Sequence, residues 1–525
     1  MGKNEIKQLM DENPCLREKL FARGFLFTTA PALAHEYPFY GLWNKTEICS
    51  ATLLVSPQQS WYIHRSGEYT MILVGHAYDP FAMEADENKI LEGLCNGLQY
   101  AFAAFTEKLN QLTGVFTLIW MTEKTVYVVG DATGMQTTFY TNVGDDHFVS
   151  SHTNLIGDLL QLKWMPYVEK LAKYKFFPLL GNSLPGDLTQ FENVKRLVPN
   201  HYITFEKGSW KSHRFYWPVQ LQVERRETPE RCADILHRNL KLIAQKWEKP
   251  AISMTGGCDS KTTLACANGL YDKFSYFSYR SSDAEEIDAV AAKKICDALG
   301  LCHKTYAIPE NDCDVTDADA VRELLNWNTG DLRKSNANDV RKRAYFARCA
   351  DFDVEVKSWA SEVGRAYYSK RFHGRKNFGK KPAPRACTTL YKFFLHDRKL
   401  VRETDKIFAE YLEQFFETPS ENPLPWQEQF FWEFRVPSWN GLVITGEHRY
   451  SYDITIPYNN RKLLELLLSV PIEDRISDTV YCEIRDYMNP VIDRTGVAVT
   501  NLKHTERRAK FEDVYWCVHS KLPFW

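Results

Sequence analysis

A glycine-rich turn between an apolar strand and a helix constrains this chain more than any other feature. The turn reads Ser253-Met-Thr-Gly-Gly-Cys-Asp-Ser-Lys261, and it separates the apolar run Pro250-Ala-Ile from the helix-compatible run Thr262-Thr-Leu-Ala-Cys-Ala. Glycines at such a junction let successive backbone N–H groups face one concavity, and the helix N-terminus adds partial positive charge. The turn therefore predicts a phosphate-binding loop.

The predicted loop also contains a carboxylate. Its residues are Thr255, Gly256, Gly257, Cys258, Asp259 and Ser260. Asp259 would repel an anion unless a divalent metal bridged the two, so we expect a metal-bound nucleotide. The lysine-bearing phosphate-loop pattern, with four residues between its first glycine and Gly-Lys, is absent.

Strands and helices alternate around this loop. A helix is predicted to start at Thr228-Pro229-Glu230, followed by strands at 251–255, 274–279 and 303–308. Helices are predicted to reach Leu270 and to cover 283–299, and the chain beyond about residue 395 is mainly helical in pattern. Such alternation predicts right-handed crossovers and a parallel sheet, with the ligand at the carboxyl ends of its strands.

The first part of the chain follows a different pattern. Up to about residue 215, short aromatic and β-branched runs alternate with turn residues, for example Tyr69-Thr-Met-Ile-Leu-Val and Thr125-Val-Tyr-Val-Val-Gly. A helical run from Asp86 to Leu109 interrupts them. This pattern predicts a layered α+β sandwich of antiparallel strands. We therefore divide the chain at 1–215 and 216–525.

Composition narrows the functional classes. The chain has 525 residues with a net charge of −2, so its surface as a whole does not attract nucleic acid. Thirteen cysteines are scattered without a Cys-x-x-Cys pair, which favours reduced thiols and a cytoplasmic location. The polar start and the lack of a long apolar stretch predict neither a secretory signal nor a membrane span. The oligomeric state stays open.

The Thr-Gly-Gly-Cys-Asp-Ser string resembles the loop of the ATP pyrophosphatases, enzymes that cleave ATP between its α- and β-phosphates. The second half of the chain resembles the synthetase domain of asparagine synthetases, β-lactam synthetases and lasso-peptide cyclases, and the first half is similar to their glutaminase-type domain. The segments that carry the resemblance are Leu112-Thr-Gly-Val-Phe-Thr-Leu-Ile-Trp, Val129-Gly-Asp-Ala-Thr-Gly134, Val194-Lys-Arg-Leu-Val-Pro199, Leu299-Gly-Leu-Cys-His303, Arg449 to Pro457, and Lys503. The resemblance implies an Ntn-hydrolase-like sandwich followed by an α/β domain like the adenine nucleotide alpha hydrolases, with a helical C-terminal part. It also implies ATP and Mg²⁺ as ligands.

One departure from this family concerns ammonia. Members with glutaminase activity begin at a nucleophilic cysteine whose free amine acts as base. Here residue 2 is Gly, and the nearest cysteine, Cys15, lies in a charged, helix-like run. We therefore expect residues 1–215 to be catalytically inactive. The resemblance to β-lactam synthetases and lasso cyclases then implies that the substrate supplies the amine.

A second departure lies at Val354-Glu-Val-Lys-Ser-Trp-Ala-Ser-Glu362. Relatives have Ser-Gly-Glu-Gly-x-Asp-Glu there, so Ser358 and Ser361 replace two acids and only Glu362 matches. We expect Glu362 to help hold Mg²⁺ or an amine. Arg365, three residues on and hence on the same helical face, would hold pyrophosphate or a substrate carboxylate. The alternative is an exposed ion pair of little energetic value.

Two basic features have a functional and a structural interpretation. In relatives, the lysine that matches Lys503 stabilises charge on the acyl-adenylate and on the oxyanion that follows; otherwise Lys503 is a solvated surface residue. Residues 370–385 contain seven Lys and Arg and no acid. They form either a solvated loop or a lid over an anionic substrate.

The sequence thus predicts an AMP-forming carbon–nitrogen ligase. It would adenylate a carboxylate and transfer the acyl group to an amine, both supplied by small molecules or peptides. Two alternatives stay open: an ATP pyrophosphatase that adenylates tRNA or a nucleobase, and a nucleotide-binding scaffold whose catalytic apparatus has decayed. The sequence does not identify the substrate.

Overall fold

The computed structural model describes residues 2–30, 40–177, 183–219, 221–310, 318–332, 335–391, 395–416, 424–497 and 506–521. Two antiparallel sheets precede one parallel sheet in these ranges. The strands of the antiparallel sheets are β1 (Phe25–Thr28), β2 (Asn44–Ile48), β3 (Ala51–Val55), β4 (Trp61–Ser66), β5 (Tyr69–Tyr78), β6 (Thr113–Met121), β7 (Val126–Gly130), β8 (Phe139–Val143), β9 (Asp146–Ser150), β10 (Lys195–Arg196), β11 (His201–Glu206) and β12 (Ser209–Arg214). The helices of this part are α1 (Lys3–Glu12), α2 (Glu87–Tyr100), α3 (Phe102–Gln111), α4 (Thr153–Leu159) and α5 (Pro166–Ala172).

The two antiparallel sheets pack face to face. One has the strand order β10-β8-β9-β1-β3-β2 and the other β12-β11-β7-β6-β5-β4. Alternate residues of β5 enter different cores: Ile72 and Val74 pack between the sheets, whereas Met71 and Leu73 pack under α2 and α3. This period of two is what a sheet buried on both faces requires. The outer face of the sheet that contains β1, β3, β8 and β9 is covered by α1 and α4, which completes a helix–sheet–sheet–helix sandwich.

The second part is built on a parallel sheet. Its strands are β13 (Pro250–Ser253), β14 (Ser275–Arg280), β15 (His303–Ala307), β16 (Val354–Val356) and β17 (Asp453–Thr455). Its helices are α6 (Thr228–Lys246), α7 (Cys258–Cys266), α8 (Asp283–Ala298), α9 (Ala318–Asn328), α10 (Ala337–Cys349), α11 (Tyr367–Arg371), α12 (Pro384–Tyr391), α13 (Arg398–Phe415), α14 (Trp426–Phe430), α15 (Leu442–Gly446), α16 (Arg461–Ser469), α17 (Ile472–Ile476), α18 (Thr479–Met488), α19 (Val491–Arg494) and α20 (Glu506–His519). Two π-helical stretches, Phe431–Arg435 and Pro437–Gly441, connect α14 to α15.

The parallel sheet has the order β15-β14-β13-β16-β17, and all four pairings are parallel. The strand that leads into the predicted phosphate loop, β13, is therefore the central one. The carboxyl ends of β13, β14 and β16 meet at one edge, which is where ligands bind in open α/β sheets.

Buried polar contacts join the two parts. Asp131, in the turn after β7, accepts hydrogen bonds from the N–H groups of Met135 and Gln136, at 2.9 and 2.8 Å, and from Asn459 Nδ2 at 2.9 Å. Arg214, at the end of β12, forms a two-pronged ion pair with the buried Glu433, at 2.7 and 2.8 Å. Breaking such a pair would leave a buried charge uncompensated, so these contacts hold the sandwich against the parallel-sheet part.

The predicted architecture is confirmed: a layered α+β sandwich is followed by an α/β parallel-sheet part and mainly helical C-terminal residues. One expected element differs, because the helix predicted over 86–109 is broken at Ala101, whose backbone is extended at φ −167° and ψ 147°. No helix within the described ranges combines the length and the apolar character that crossing a bilayer requires.

Candidate active site

The loop between β13 and α7 is held by its own hydroxyl groups. Thr255 Oγ1 lies 2.9 Å from Ser260 Oγ, which also donates to the Thr255 carbonyl at 3.0 Å, and Gly257 N–H donates to Thr255 Oγ1 at 3.1 Å. Gly257 precedes α7 with an ordinary φ of −72°, but a Cβ there would lie only 3.1 Å from Thr255 Oγ1. The helix begins at Cys258 without a side-chain cap. The N–H groups of its first turn are therefore available to an anion.

A cavity of about 420 Å³ opens beside this loop, within the range of small-molecule sites. Its walls come from the loop, the ends of β14 and β16, and helices α8, α10 and α15. The ionisable residues that line it are Asp259, Glu285, Asp288, Asp339, Lys342, Arg343, Glu355, Lys357, Glu362, Glu447 and His448. Acids outnumber bases, so the cavity favours cations and metal-bound anions over free anions.

Both carboxylate oxygens of Asp259 are already hydrogen-bonded. Ser361 Oγ donates to Oδ1 at 2.7 Å, and Arg365 Nη1 lies 2.5 Å from Oδ2. Ser361 thus donates to Asp259 and adds no negative charge beside it.

Glu362 has an unsatisfied carboxylate. Its Oε2 is shielded from solvent and has no hydrogen-bond partner. Burial and the negative charge of Asp259 raise the pKa of Glu362 to about 7. A cation placed between the two acids would remove this penalty.

Arg365 is the centre of an ion-pair chain. Its Nε and Nη2 donate to the two carboxylate oxygens of Asp478, both at 2.8 Å, while Nη1 reaches Asp259. Lys370 also donates to Asp478. Burial opposes the charge of Arg365, but Asp259 and Asp478 hold its pKa well above the ordinary value. The interpretation of Glu362 and Arg365 as an exposed pair is therefore wrong, since Arg365 pairs with other acids.

The helical face expected to carry Glu362 and Arg365 is short. Residues Ser361–Arg365 form a 3-10 helix between two alanines in the left-handed conformation, Ala360 at φ 68° and Ala366 at φ 49°. The 3-10 helix does not continue past Ala366. The next helix, α11, begins at Tyr367, and its Tyr368 packs against Phe431 at a ring distance of 5.7 Å.

The residues present fit Mg²⁺ delivered with a nucleotide. Among the described residues, no group of three or more His, Cys, Asp or Glu side chains could hold a metal ion on its own. Mg²⁺ commonly takes one or two protein carboxylates and fills its remaining positions with phosphate oxygens and water. Glu362 Oε2 is open for this role, and Asp259 would join it if Arg365 moved from Asp259 to a phosphate.

Several neighbours of the loop carried no sequence signal. Arg485 Nη1 donates to Cys258 Sγ at 3.3 Å, and its Nε forms two 2.9 Å bonds to Asp493. Asp478 lies 113 residues from the arginine that it orients. Lys503, the predicted catalytic lysine, lies outside the described residues.

The basic segment 370–385 is anchored by acids from other elements. Lys370 pairs with Asp478, Arg375 with Asp513, Lys376 with Glu473 and Arg385 with Asp405. Four of the seven basic residues of this segment are thus neutralised by protein carboxylates.

Cys15, the cysteine nearest the start of the chain, is exposed in a 3-10 helix, Pro14–Lys19, that ends before β1 begins at Phe25.

Comparisons with known proteins identify only distant structural neighbours. The chain matches no protein-family model and no curated protein sequence. A glutamine phosphoribosylpyrophosphate amidotransferase from B. subtilis, complexed with ADP and GMP, is 11% identical with a TM-score of 0.23; the match covers 70% of this chain and 75% of that one. An NH3-dependent NAD synthetase from Campylobacter jejuni is 15% identical with a TM-score of 0.17, over 38% of this chain and 99% of that one. An NAD+ synthetase from Burkholderia pseudomallei is 16% identical with a TM-score of 0.19, over 51% and 90%. At such values the assignment of function rests on the site itself.

Proposed function

We propose that this protein is an AMP-forming amide synthetase of the asparagine synthetase-like kind. The observation that carries the proposal is the Thr255–Ser260 loop at the carboxyl end of the central strand, which opens into a cavity holding Asp259 and Glu362. A substrate carboxylate would attack the α-phosphorus of ATP, releasing pyrophosphate and leaving an acyl-adenylate. An amine would then displace AMP and form the amide.

The chain's own residues divide this work. The loop N–H groups and the start of α7 would bind phosphate oxygens. Asp259 and Glu362 would hold Mg²⁺, which when bound neutralises charge on the β- and γ-phosphates. Arg365, oriented by Asp478, would bind the departing pyrophosphate. Glu362 is also our first choice for the group that accepts a proton from the amine when no cation is bound beside it, since its pKa is then about 7 and suits both protonation states.

The proposal includes an inactive first part. Residues 1–215 would act as a scaffold that supports the synthetase part, through contacts such as Asp131 with Asn459, and would not release ammonia. The amine would come from the substrate or from a second small molecule. Lys503 would stabilise negative charge at the reacting carbonyl.

The test is pyrophosphate release with ATP, Mg²⁺ and a panel of carboxylic acids and amines, together with exchange of labelled pyrophosphate into ATP. Asp259→Asn should lower both rates by orders of magnitude while leaving the melting temperature near that of the wild type. Asp234→Asn, at an exposed position on α6, is the matched control and should retain both rates. AMP should accumulate, not ADP.

Four results would contradict the proposal. ADP as the product would exclude cleavage between the α- and β-phosphates. Wild-type rates in Asp259→Asn would show that this aspartate of the loop takes no part in catalysis. Absence of both pyrophosphate release and exchange with every panel member would favour the decayed scaffold, whereas strict dependence on added tRNA would favour nucleic-acid adenylation.

A further inference from the structure

Two thiols lie against one guanidinium beside the phosphate loop. Arg485 Nη1 donates to Cys258 Sγ at 3.3 Å, and Arg485 Nη2 donates to Cys482 Sγ at 3.2 Å. The two nitrogens belong to one planar group, so the two sulfur atoms are close neighbours. The adenylation proposed above makes no use of either sulfur.

The two thiols come from different helices that pack together, α7 and α18. Cys258 is the first residue of α7, and Thr262, one turn further on, lies 2.9 Å from the same Arg485 Nη1. Cys482 lies on α18, one turn before Arg485. The two cysteines therefore lie on the facing sides of neighbouring helices, which is the placement that a disulfide between helices requires.

The two thiols differ in exposure. Cys482 is exposed, whereas Cys258 is half-buried in the loop. Burial raises the pKa of the Cys258 thiol, so exposure and not acidity decides which sulfur meets an oxidant first. Cys482 is therefore the thiol that an oxidant reaches, and Cys258 is the second thiol next to it.

We propose that Cys258 and Cys482 form a reversible disulfide, made by a hydroperoxide, that closes the phosphate loop to nucleotide. With hydrogen peroxide, Cys482 Sγ attacks one peroxide oxygen; an S–O bond forms, the O–O bond breaks, and water leaves a sulfenic acid behind. Cys258 Sγ then attacks that sulfur; the S–S bond forms, the S–O bond breaks, and the hydroxide departs as water with the proton of the Cys258 thiol. Each sulfur gives up one electron to the peroxide, and a dithiol reductant reverses the reaction.

The disulfide should weaken nucleotide binding. It would displace Arg485 from between the sulfurs and draw the first residue of α7 towards α18. The N–H groups of this turn are those that the proposed function assigns to phosphate oxygens, so the affinity for MgATP should fall about tenfold or more. Bound MgATP must then oppose the disulfide by the same factor. This consequence rests on the proposed nucleotide site, whereas formation of the disulfide does not.

The test starts from the full chain, reduced and then freed of reductant. After treatment with hydrogen peroxide, the remaining thiols are alkylated and the peptides are analysed by mass spectrometry without reduction. A cross-linked pair containing Cys258 and Cys482 should appear, and dithiothreitol should remove it. Calorimetry should show that the affinity for MgATP falls on oxidation and recovers on reduction. MgATP present during oxidation should slow the cross-link.

Two variants separate this pair from other thiols. Cys482→Ser should abolish the cross-link and keep its affinity for MgATP through the peroxide treatment. Cys517→Ser is the matched control, because Cys517 is also exposed and also lies beside an arginine, 3.4 Å from Arg375 Nη2. This control should form the cross-link as the wild type does.

Three outcomes would overturn the proposal: peroxide does not join Cys258 to Cys482, the cross-linked protein binds MgATP like the reduced protein, or Cys482→Ser loses affinity on oxidation as the wild type does. The wild-type cross-link is decisive even if a variant fails to fold. A cross-link in a protein that binds no MgATP when reduced would refute the nucleotide site and leave the disulfide standing. Pyrophosphate release without any cross-link would do the reverse.

Discussion

Replacing Glu362 by Gln should stabilise the protein at alkaline pH and abolish its activity. The carboxylate is shielded from water, its Oε2 has no hydrogen-bond partner, and Asp259 adds negative charge nearby. Gln is close in shape to the protonated acid, so the substitution removes the charge with little change in packing. A site that is destabilising without its ligand is typical of a binding residue.

The size and the sign of this stability difference follow from the pKa of Glu362, which is about 7 in the folded protein and ordinarily 4.5. Between these values the folded state binds more protons than the unfolded state, so stability falls as the pH rises. The difference between the two pKa values corresponds to about 3 kcal/mol of folding stability, at roughly 1.4 kcal/mol per pKa unit. Glu362→Gln should match the wild type below the ordinary pKa and exceed it by up to about 3 kcal/mol above pH 8.

The assay compares the melting temperatures of wild type and Glu362→Gln across this pH range, because titrating groups that do not interact with Glu362 cancel in the difference. The shift is about 2–4 °C per kcal/mol for 150–250 residues and smaller for a longer chain, so the gap should widen by a few degrees as the pH rises. Glu92→Gln, at an exposed position on α2, is the control for losing one carboxylate. MgATP should narrow the gap, since a bound cation removes the penalty from the wild type only.

Two results would refute this reasoning. A gap that is constant with pH would show that Glu362 is not held neutral by burial and by Asp259. A variant that is less stable than the wild type at alkaline pH would show that the carboxylate makes a favourable contact in the free protein. Full activity in a stabilised variant would remove Glu362 from the catalytic site but leave the electrostatic account intact.

Three further outcomes are expected. Lys503→Met should lose about 3–4 kcal/mol of transition-state stabilisation in product formation with little change in ATP affinity, and Lys503→Arg should not restore it; normal product formation by Lys503→Met would end this assignment. Gly364→Ala should lower stability by about 1–3 kcal/mol, measured by thermal unfolding, because its Cβ would lie 2.6 Å from Leu467 Cβ; an unchanged melting temperature would contradict the packing argument. Glutamine should yield no glutamate at a rate matching product formation, as measured by an amino-acid analyser; matching rates would contradict an inactive first part.

The fold class could be predicted from the sequence because it depends on local patterns. Near-continuous apolar runs along β5 and β6 are typical of a sheet buried on both faces, and the alternation of strand and helix after residue 227 indicates a parallel sheet. The strand–turn–helix at Ser253–Lys261 likewise predicts a phosphate-binding loop from local sequence alone. Boundaries were less predictable: β13 ends at Ser253 and α7 at Cys266, each short of the expected limits of residues 255 and 270.

The arrangement of the site was decided by tertiary structure. Asp259 was identifiable within its loop, but its partner Arg365 lies 106 residues away and the acid that orients that arginine lies 113 residues further on. Glu355 and Arg343 carry no motif, and the strand pattern around Glu355 predicts only burial. Local periodicity determines which face of an element is covered, whereas the pairing of charges across 100 residues depends on how the covered faces pack, and only the folded chain contains that information.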